Sequence, residues 1–206
     1  REERAVLCYR CGSHVPDGSI ICPVCNANLT SKKRPTASVP ESYFGLEAVS
    51  SRAVSMLDVG ELLKERYRVG ELIGAGPVAA VFSGRDINTE EKIAMKVFAP
   101  NLVQDEDDRK QIRQRFKKLS TIQHPNVATL YDLVESGPRV VIVSEFIDGV
   151  TLRKVIDARK QEGRNFGFQE ILPILEQICI GLAAYTSIAH GALKPENVFI
   201  VPEGVK

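Results

Sequence analysis

The segment H-G-A-L-K-P-E-N, residues 190–197, decides the fold of this chain together with the elements that precede it. A 3.6-residue apolar period predicts two helices before it, over residues 152–159 and 168–188, and the second helix should be mostly buried. Before these helices in the chain, short runs of residues that favour strands, bounded by Gly, Pro, Asn and Asp, predict β-strands. Strands followed by helices predict an α+β domain, in which a small sheet lobe leads into a helical lobe.

The predicted sheet lobe consists of five strands and one inserted helix. A charged stretch with a 3.6-residue apolar set predicts the helix over residues 105–122, and the acidic residues 105–108 favour its start through the helix dipole. Pro125 ends this helical region, because the residue before a proline is disfavoured in the α conformation. The predicted strands cover residues 67–73, 78–85, 92–98, 128–134 and 139–146.

Four further motifs occur in a fixed order upstream of the opening segment. G-A-G at residues 74–76 lies between the first two predicted strands, and I-A-M-K at residues 93–96 lies on the third. H-P-N-V at residues 124–127 follows the inserted helix, and S-E-F-I-D-G at residues 144–149 follows the last strand. A single G-x-G is weak evidence, because hairpin turns also use glycine. Five motifs in this order and spacing are strong evidence that the chain shares the fold of a known family.

Residues 67–206 resemble the Ser/Thr protein kinase fold, particularly its bacterial branch. The resemblance implies a kinase-like domain over residues 63–206, with the N-lobe at residues 63–146 and part of the C-lobe at residues 147–206. It also implies a role in signalling, with ATP and magnesium as ligands. The chain ends at Lys206, before the place where the family has its metal-binding D-F-G motif.

The resemblance also implies a nucleotide site. In the family, the Gly-rich loop lets backbone amides approach the phosphates, and a strand lysine, here Lys96, neutralises them. Asn197 stands where the family has a magnesium ligand, and apolar strand positions would line the adenine pocket. The implied nucleotide-binding residues are Ile73, Gly74, Gly76, Val81, Ala94, Lys96, Glu145, Ile147, Asn197 and Phe199.

The phosphate-binding elements depart from the family pattern. Pro77 removes one amide donor from the loop, and Ala79 stands at the third glycine position. Counting back from His124 places Arg115 where the family has the glutamate that holds the lysine, and no Glu or Asp occurs in residues 109–131. We therefore expect nucleotide binding to be weak or absent.

The catalytic loop departs further from the family. The family's aspartate accepts the proton of the substrate hydroxyl, and Ala192 has no acceptor with which to do this. Gly191 replaces the family's arginine, and His190 is expected to support the loop rather than react. We therefore predict a pseudokinase without assigned catalytic residues, whose degenerate loop contains His190, Gly191, Ala192, Lys194 and Asn197.

Simpler interpretations stay open beside this one. Lys96 is either a pocket lysine or an ordinary exposed strand lysine, and Asn197 either binds a metal or caps a turn. Two classes of function also stay open. In the first, the domain is a non-catalytic kinase fold that binds protein partners; in the second, it is an atypical Ser/Thr kinase that transfers phosphate from ATP to proteins.

Four of the five cysteines form two C-x-x-C pairs. Two such turns bring four thiolates around one ion, and the absence of an open position is typical of a structural zinc site. Two disulfides or a redox pair are the alternatives, and His14 and Cys179 are not assigned to the metal. Cys179 is expected to be a small buried residue of the last helix. The predicted zinc ribbon covers residues 1–29, with the ligands Cys8, Cys11, Cys22 and Cys25.

The remaining features concern the linker, the charge and the location of the chain. Residues 30–62 are rich in Ser, Pro and Ala and predict a flexible linker. A formal net charge of +1 and a ribbon with Tyr9 as its one aromatic residue argue against nucleic acid as a partner. No apolar run reaches the about 18 residues of a membrane helix, and the charged start is unlike a secretory signal. A cytoplasmic protein is therefore expected.

Overall fold

The computed structural model describes residues 5–7, 14–16, 19–23, 57–76, 78–186 and 188–206. Near the N-terminus, strand β1 (Ala5–Leu7) pairs antiparallel with β2 (His14–Pro16). From Leu57 onward, the described residues divide into two compact units. The sheet unit contains residues 57–123 and 129–146, and the helical unit contains residues 124–128 and 147–206.

The sheet unit is built on an antiparallel sheet with the order β3-β4-β5-β6-β8-β7 in its described residues. Helix α1 (Glu106–Leu119) lies between β6 and β7 in the chain. All five strands predicted from the sequence occur, with ends shifted by two residues or fewer, and the inserted helix is confirmed. The strands are β3 (Leu62–Leu63), β4 (Tyr67–Ala75), β5 (Ala79–Asp86), β6 (Lys92–Phe98), β7 (Leu130–Ser136) and β8 (Arg139–Glu145).

One face of this sheet forms the apolar core of the unit. Along β6, Ile93, Met95 and Val97 are buried while the residues between them are more exposed, as expected of a half-buried strand. Phe82 on β5 and Val143 on β8 join the same buried cluster. The alternation leaves the opposite face of the strands for more polar residues.

The sheet unit begins earlier than the predicted boundary at residue 63. Leu57 and Leu63 are each 3% exposed and belong to the core cluster. Backbone hydrogen bonds from Gly60 N to Val69 O and from Val69 N to Glu61 O attach this segment to β4. Residues 57–62 were predicted as linker, and that part of the prediction is wrong, because their burial and pairing make them part of the folded unit.

In its described residues the helical unit contains two α-helices, a 3-10 helix at Pro195–Asn197 and a small sheet. In the described part of the chain, the sheet has the order β11-β10-β9, and Val150 and Thr151 pair with Ile200 and Phe199. The Thr151 side chain accepts a hydrogen bond from Lys154 N and so caps the first helix of the unit. The elements are β9 (Val150–Thr151), α2 (Leu152–Gln161), α3 (Phe168–Ala183), β10 (Phe199–Val201) and β11 (Gly204–Val205).

Helix α3 differs from the sequence prediction in length and in burial. It ends at Ala183 rather than near residue 188. Ile174 is fully buried, but Leu172 and Leu175 are each 48% exposed, and Cys179 is exposed as well. The predictions of a mostly buried helix and a buried Cys179 are therefore wrong. An apolar sequence marks the faces of a helix that can be buried, but not whether both are covered.

A buried ion pair joins α2 to the start of α3. The Arg159 side chain is 3% exposed, and its guanidinium donates to both carboxylate oxygens of Glu170 at 2.8 and 2.9 Å. Glu170 also accepts a hydrogen bond from Gly167 N, which caps α3. The Arg159 hydrogen bonds, followed by that of Gly167, lower the pKa of Glu170 to about 2.

Candidate functional site

The sheet unit brings four of the implied nucleotide residues onto one face. Gly74, Val81 and Lys96 are consecutive cross-strand partners on β4, β5 and β6, and Ala94 lies two residues before Lys96. Opposed residues of antiparallel strands share a face, as do residues two apart on one strand. Lys96 is exposed, whereas Met95 between it and Ala94 is fully buried on the other face. The four residues therefore lie together on the face away from the core.

Two side-chain contacts involve implied nucleotide-binding residues of the sheet unit. The Lys96 ammonium lies 5.8 Å from the ring centroid of Phe98, the next residue on the same face, within cation–π range. Glu145 ends β8, and its side-chain Oε2 accepts a hydrogen bond from Thr129 N. Ile73, at the end of β4, is 47% exposed. Ile73 is thus an exposed apolar side chain that is suited to contact a ligand.

The Gly-rich segment forms a short hairpin between β4 and β5. Gly76 N donates a hydrogen bond to Ala79 O at 3.0 Å, so this amide is used within the hairpin. Neither Gly74 nor Gly76 has a positive φ. A Cβ at Gly74 would meet nothing within 4 Å, whereas a Cβ at Gly84 would meet Met95 Sδ at 2.6 Å. Packing therefore requires glycine at position 84 but not at position 74.

Helix α1 carries Arg115 at the position counted for the family's glutamate, and this arginine is exposed. The helix is attached to the sheet through its other side. Arg113 forms ion pairs with Glu135 on β7, at 3.0 Å, and with Glu106 in the first turn. Arg109 donates to the carbonyl of Gly137. The carboxylates of α1 itself are confined to its first turn.

The loop of residues 190–197 is closed by hydrogen bonds. Ala192 N donates to His190 Nδ1 at 3.3 Å, and Asn197 Nδ2 donates to Ala192 O at 2.8 Å. Gly191 has a φ of 72°, a conformation that favours glycine over residues with a Cβ. The His190 ring packs edge-on against Tyr185, with centroids 5.3 Å apart. His190 thus contacts both the loop backbone and the ring of Tyr185.

The side chains of the loop differ in what chemistry they offer. Ala192 is exposed and ends in a methyl group, so its only polar atoms are those of the backbone. The Asn197 bond to Ala192 uses the amide nitrogen, whereas magnesium would need the amide oxygen. Lys194 is exposed, and its carbonyl accepts from Asn197 N.

An ion pair fixes the end of the loop to α2. Arg153 Nε donates to Glu196 at 3.1 Å, and Arg153 also lies 3.6 Å from Asp157 one turn further along. The pKa of Glu196 lies below its ordinary value, first because its carboxylate accepts its own backbone N–H and then because of Arg153. Sequence reasoning missed this pair, since no local pattern connects residues 43 positions apart.

Asn126 of the H-P-N-V motif is the second residue that sequence reasoning missed. Its Nδ2 donates to Val205 O at 2.7 Å and to Gln177 Oε1 at 3.3 Å. Gln177 Oε1 also accepts from Val205 N, so the two amides hold β11 beside α3. A Cβ at Gly181 would meet Asn126 O at 2.9 Å, which requires a glycine there. The motif is therefore a structural clamp of the helical unit.

The predicted metal site is only partly described. Leu7 pairs with His14, so the six residues that connect β1 and β2 include the first C-x-x-C pair. Cys22 is fully buried, as a sulfur bound to a structural metal would be. A turn closes from Ser19 N and Oγ to Pro16 O at 3.1 and 2.6 Å. These features fit a zinc knuckle, and Cys8, Cys11 and Cys25 lie outside the described residues.

The fold and the motif positions agree with a comparison to known families. The family model described as the protein kinase domain matches residues 67–206, more than half of the chain. The chain belongs to the protein kinase family. Within the described part of this protein kinase chain, no helix is both long and apolar enough to cross a membrane.

Bacterial Ser/Thr kinases are among the relatives of this kinase domain. It is 31% identical to the serine/threonine-protein kinase PrkC of Bacillus subtilis over 144 residues, which cover 69% of this chain and 22% of PrkC. It is 34% identical to pkn2 of Myxococcus xanthus over 142 residues, covering 68% of this chain and 16% of pkn2. The chain thus spans less than a quarter of these two relatives.

Solved kinase domains share the fold. The crystal structure of the Mycobacterium tuberculosis PknI kinase domain has a TM-score of 0.65 and 18% identity, covering 72% of this chain and 59% of that one.

Within the kinase domain described here, seven of the implied nucleotide residues belong to the sheet unit. The other three, in the helical unit, are Ile147, Asn197 and Phe199.

Proposed function

We propose that this kinase domain is a pseudokinase: it acts in signalling by binding protein partners and transfers phosphate slowly or not at all. The observation that carries the proposal is Ala192. Its loop is closed by hydrogen bonds of the kind that position a catalytic group, yet the side chain at this point has no polar atom. Loss of a positioned general base typically lowers a rate by about 10²–10⁴-fold.

Arg115 weakens the positioning of phosphate as well. In active kinases a helix glutamate orients the strand lysine, and Arg115 has the charge that cannot attract Lys96. Phosphoryl transfer depends mainly on positioning and charge neutralisation, so it tolerates loss of a base better than most reactions. The proposal therefore relies on the two substitutions together.

We also propose that the domain binds ATP weakly. The glycine at position 74 is not required by packing, which favours a ligand that approaches the backbone there. Lys96 on the same sheet face would neutralise phosphate, and Asn197 would hold magnesium, which supplies further charge neutralisation when bound. Against tight binding, the Gly76 amide is already used within the hairpin.

The second candidate function is that of an atypical Ser/Thr kinase. It is favoured because Lys194 and Asn197 are retained in the closed loop of residues 190–197. Lys96 is also retained and is exposed on its sheet face. In this candidate, substrate positioning alone would sustain transfer. The relatives PrkC and pkn2 are serine/threonine-protein kinases by name.

A phosphate-transfer assay distinguishes the two candidates. The full-length protein is incubated with radiolabelled ATP, magnesium and a general acceptor protein, beside a Lys96→Met variant that controls for contaminating kinases. We expect transfer by the unchanged protein to equal that of Lys96→Met. Robust transfer that Lys96→Met abolishes would overturn the pseudokinase proposal and establish the atypical kinase.

The N-terminal segment is proposed to be a zinc ribbon with a structural role. Four thiolates would complete a tetrahedral site without a position for water, so the metal would stabilise the segment rather than react. The pairing of β1 with β2 and the burial of Cys22 support this. The ribbon would offer the protein a second docking surface.

A further inference from the structure

Helix α1 has an unusual distribution of charge. Its acidic residues lie in the first turn, and six of the ten residues that follow, 109–118, are Lys or Arg. The whole chain has nearly equal numbers of cations and anions, 27 and 26, so its composition does not explain this concentration. We define the α1 basic face as Lys110, Arg115, Lys117 and Lys118, which are all exposed.

The anchoring of α1 does not explain the basic face. Attachment to the sheet uses Arg109 and Arg113, through Gly137 O and Glu135. Among the described residues, no carboxylate lies within ion-pair distance of Lys110, Lys117 or Lys118. A helix with 3.6 residues per turn places Lys110 and Lys117 nearly above one another.

Capping accounts for only part of the charge. Lysines near a helix C-terminus interact favourably with the dipole, which is a structural reason for Lys117 and Lys118. The last carbonyls, however, already accept hydrogen bonds from Ser120 Oγ and Thr121 Oγ1. The dipole gives no reason for Lys110, in the second turn. Spacings such as Lys110–Arg113 and Arg113–Lys117 bring like charges together and destabilise the isolated helix.

We propose that the α1 basic face is a docking surface for an acidic segment of a partner protein. Four exposed cations within nine residues, and no carboxylate among residues 109–131, are complementary to a short run of Asp and Glu. This gives a partner chemistry to the proposed binding module, and rests on that proposal only in treating the domain as a protein binder.

Nucleic acid is the other polyanion to consider, and the observations favour protein. Residues 110–118 span about 12 Å along the helix axis, which suits a short acidic peptide better than a run of duplex phosphates. The α1 basic face consists of Lys and Arg alone, without an aromatic ring on which a base could stack. The net charge of +1 is also low for a nucleic-acid-binding protein.

The test measures binding of a fluorescein-labelled octaglutamate peptide to the full chain by fluorescence anisotropy. We expect binding at about 50 mM salt that weakens strongly by about 200 mM, as ionic screening requires. The double variant Lys110→Glu/Lys117→Glu should lose about tenfold or more in affinity, and Lys110→Gln/Lys117→Gln should lose less. Unchanged melting temperatures show that these variants fold.

The matched control is Lys154→Glu/Lys160→Glu on α2, which changes the net charge equally and also includes a last-turn lysine. We expect the control to retain affinity within about twofold. Equal losses in both double variants, or no binding of peptide at low salt, would overturn the proposal. Tighter binding of a matched DNA duplex, lost in the α1 variant, would also overturn it and identify nucleic acid as the occupant.

This outcome is separable from that of the phosphate-transfer assay. A protein that transfers phosphate and still binds the peptide through α1 supports the docking surface while overturning the pseudokinase proposal. A protein that transfers no phosphate and does not bind the peptide supports the pseudokinase proposal and overturns the docking surface.

Discussion

At Ala192, a single methyl group lies where the backbone is held from both sides. His190 accepts the hydrogen bond of its N–H, and Asn197 donates to its carbonyl. Neither bond depends on the side chain, so the loop geometry does not need an aspartate. The exposed side chain also leaves room for a larger one. This position can therefore be changed without disturbing the fold around it.

We predict that Ala192→Asp alone does not restore phosphate transfer, because Arg115 supplies no carboxylate to hold Lys96 in place. Rates measured with radiolabelled ATP should stay within about threefold of the unchanged protein. The double variant Ala192→Asp/Arg115→Glu should transfer faster than either single variant. A gain of about 10²-fold or more from Ala192→Asp alone, the usual effect of a general base, would contradict this prediction.

At the scale of elements, the Arg159–Glu170 pair between α2 and α3 determines how the helical unit responds to acid. Glu170 has a pKa of about 2 in the folded chain, against about 4.5 when unfolded. Its stabilising effect is therefore complete above about pH 4.5 and is lost as the pH falls through about 2. Arg159, 3% exposed, then has no charged partner in Glu170.

We predict that Glu170→Gln lowers the free energy of unfolding at pH 7 by about 1–3 kcal/mol, less than for a fully buried pair because Glu170 is partly exposed. The difference from the unchanged protein should shrink between about pH 4.5 and 2, as measured by urea unfolding. Glu162→Gln, which breaks the exposed pair with Arg164, should cost less than about 1 kcal/mol. Equal effects of the two variants would contradict this prediction.

The elements predictable from the sequence were those with a local signal. Strand Lys92–Phe98 was predicted to the residue, because a short β-forming run follows the Asn88-Thr89 turn and ends before Pro100. Helix α3 was predicted five residues too long, since residues 184–190 contain no Gly or Pro to mark its end. Strands β9 and β10 were missed as a pair, because Val150 and Ile200 are distant in sequence.

In the candidate site as well, residues within sequence motifs were predictable and contacts between distant residues were not. The motifs placed Val81 and Lys96 on neighbouring strands, where the structure has them, whereas Gly74 was predicted in the turn and lies on β4. The contacts of Glu196 with Arg153 and of Asn126 with Val205 were not predictable, since they join residues that only the folded chain brings together.

At the scale of the whole molecule, among the residues that the structure describes, neither apolar core cluster of the two units contains a residue of the N-terminal hairpin. We predict that Cys22→Ser reduces bound zinc from about one per chain to nearly none, because metal binding provides the folding energy of such a segment. The melting temperature of the kinase domain should not change. Metal analysis and calorimetry of the purified protein measure both quantities.

The matched control for this prediction is Cys179→Ser, which changes an exposed cysteine on α3 and should leave the zinc content unchanged. A protein with well under one zinc per chain, or with two disulfides by mass spectrometry, would contradict the zinc ribbon. A drop in the melting temperature of the kinase domain after Cys22→Ser would contradict its independence.

The path of the chain between the two units has a consequence for dissecting the protein. Residues 124–128 belong to the helical unit, although residues 123 and 129 on either side belong to the sheet unit. A cut after residue 146 leaves Asn126 on one fragment and its partners Gln177 and Val205 on the other. A cut before residue 124 removes β7 and β8 from their sheet. A single cleavage anywhere after residue 57 therefore cannot leave each unit whole on its own fragment.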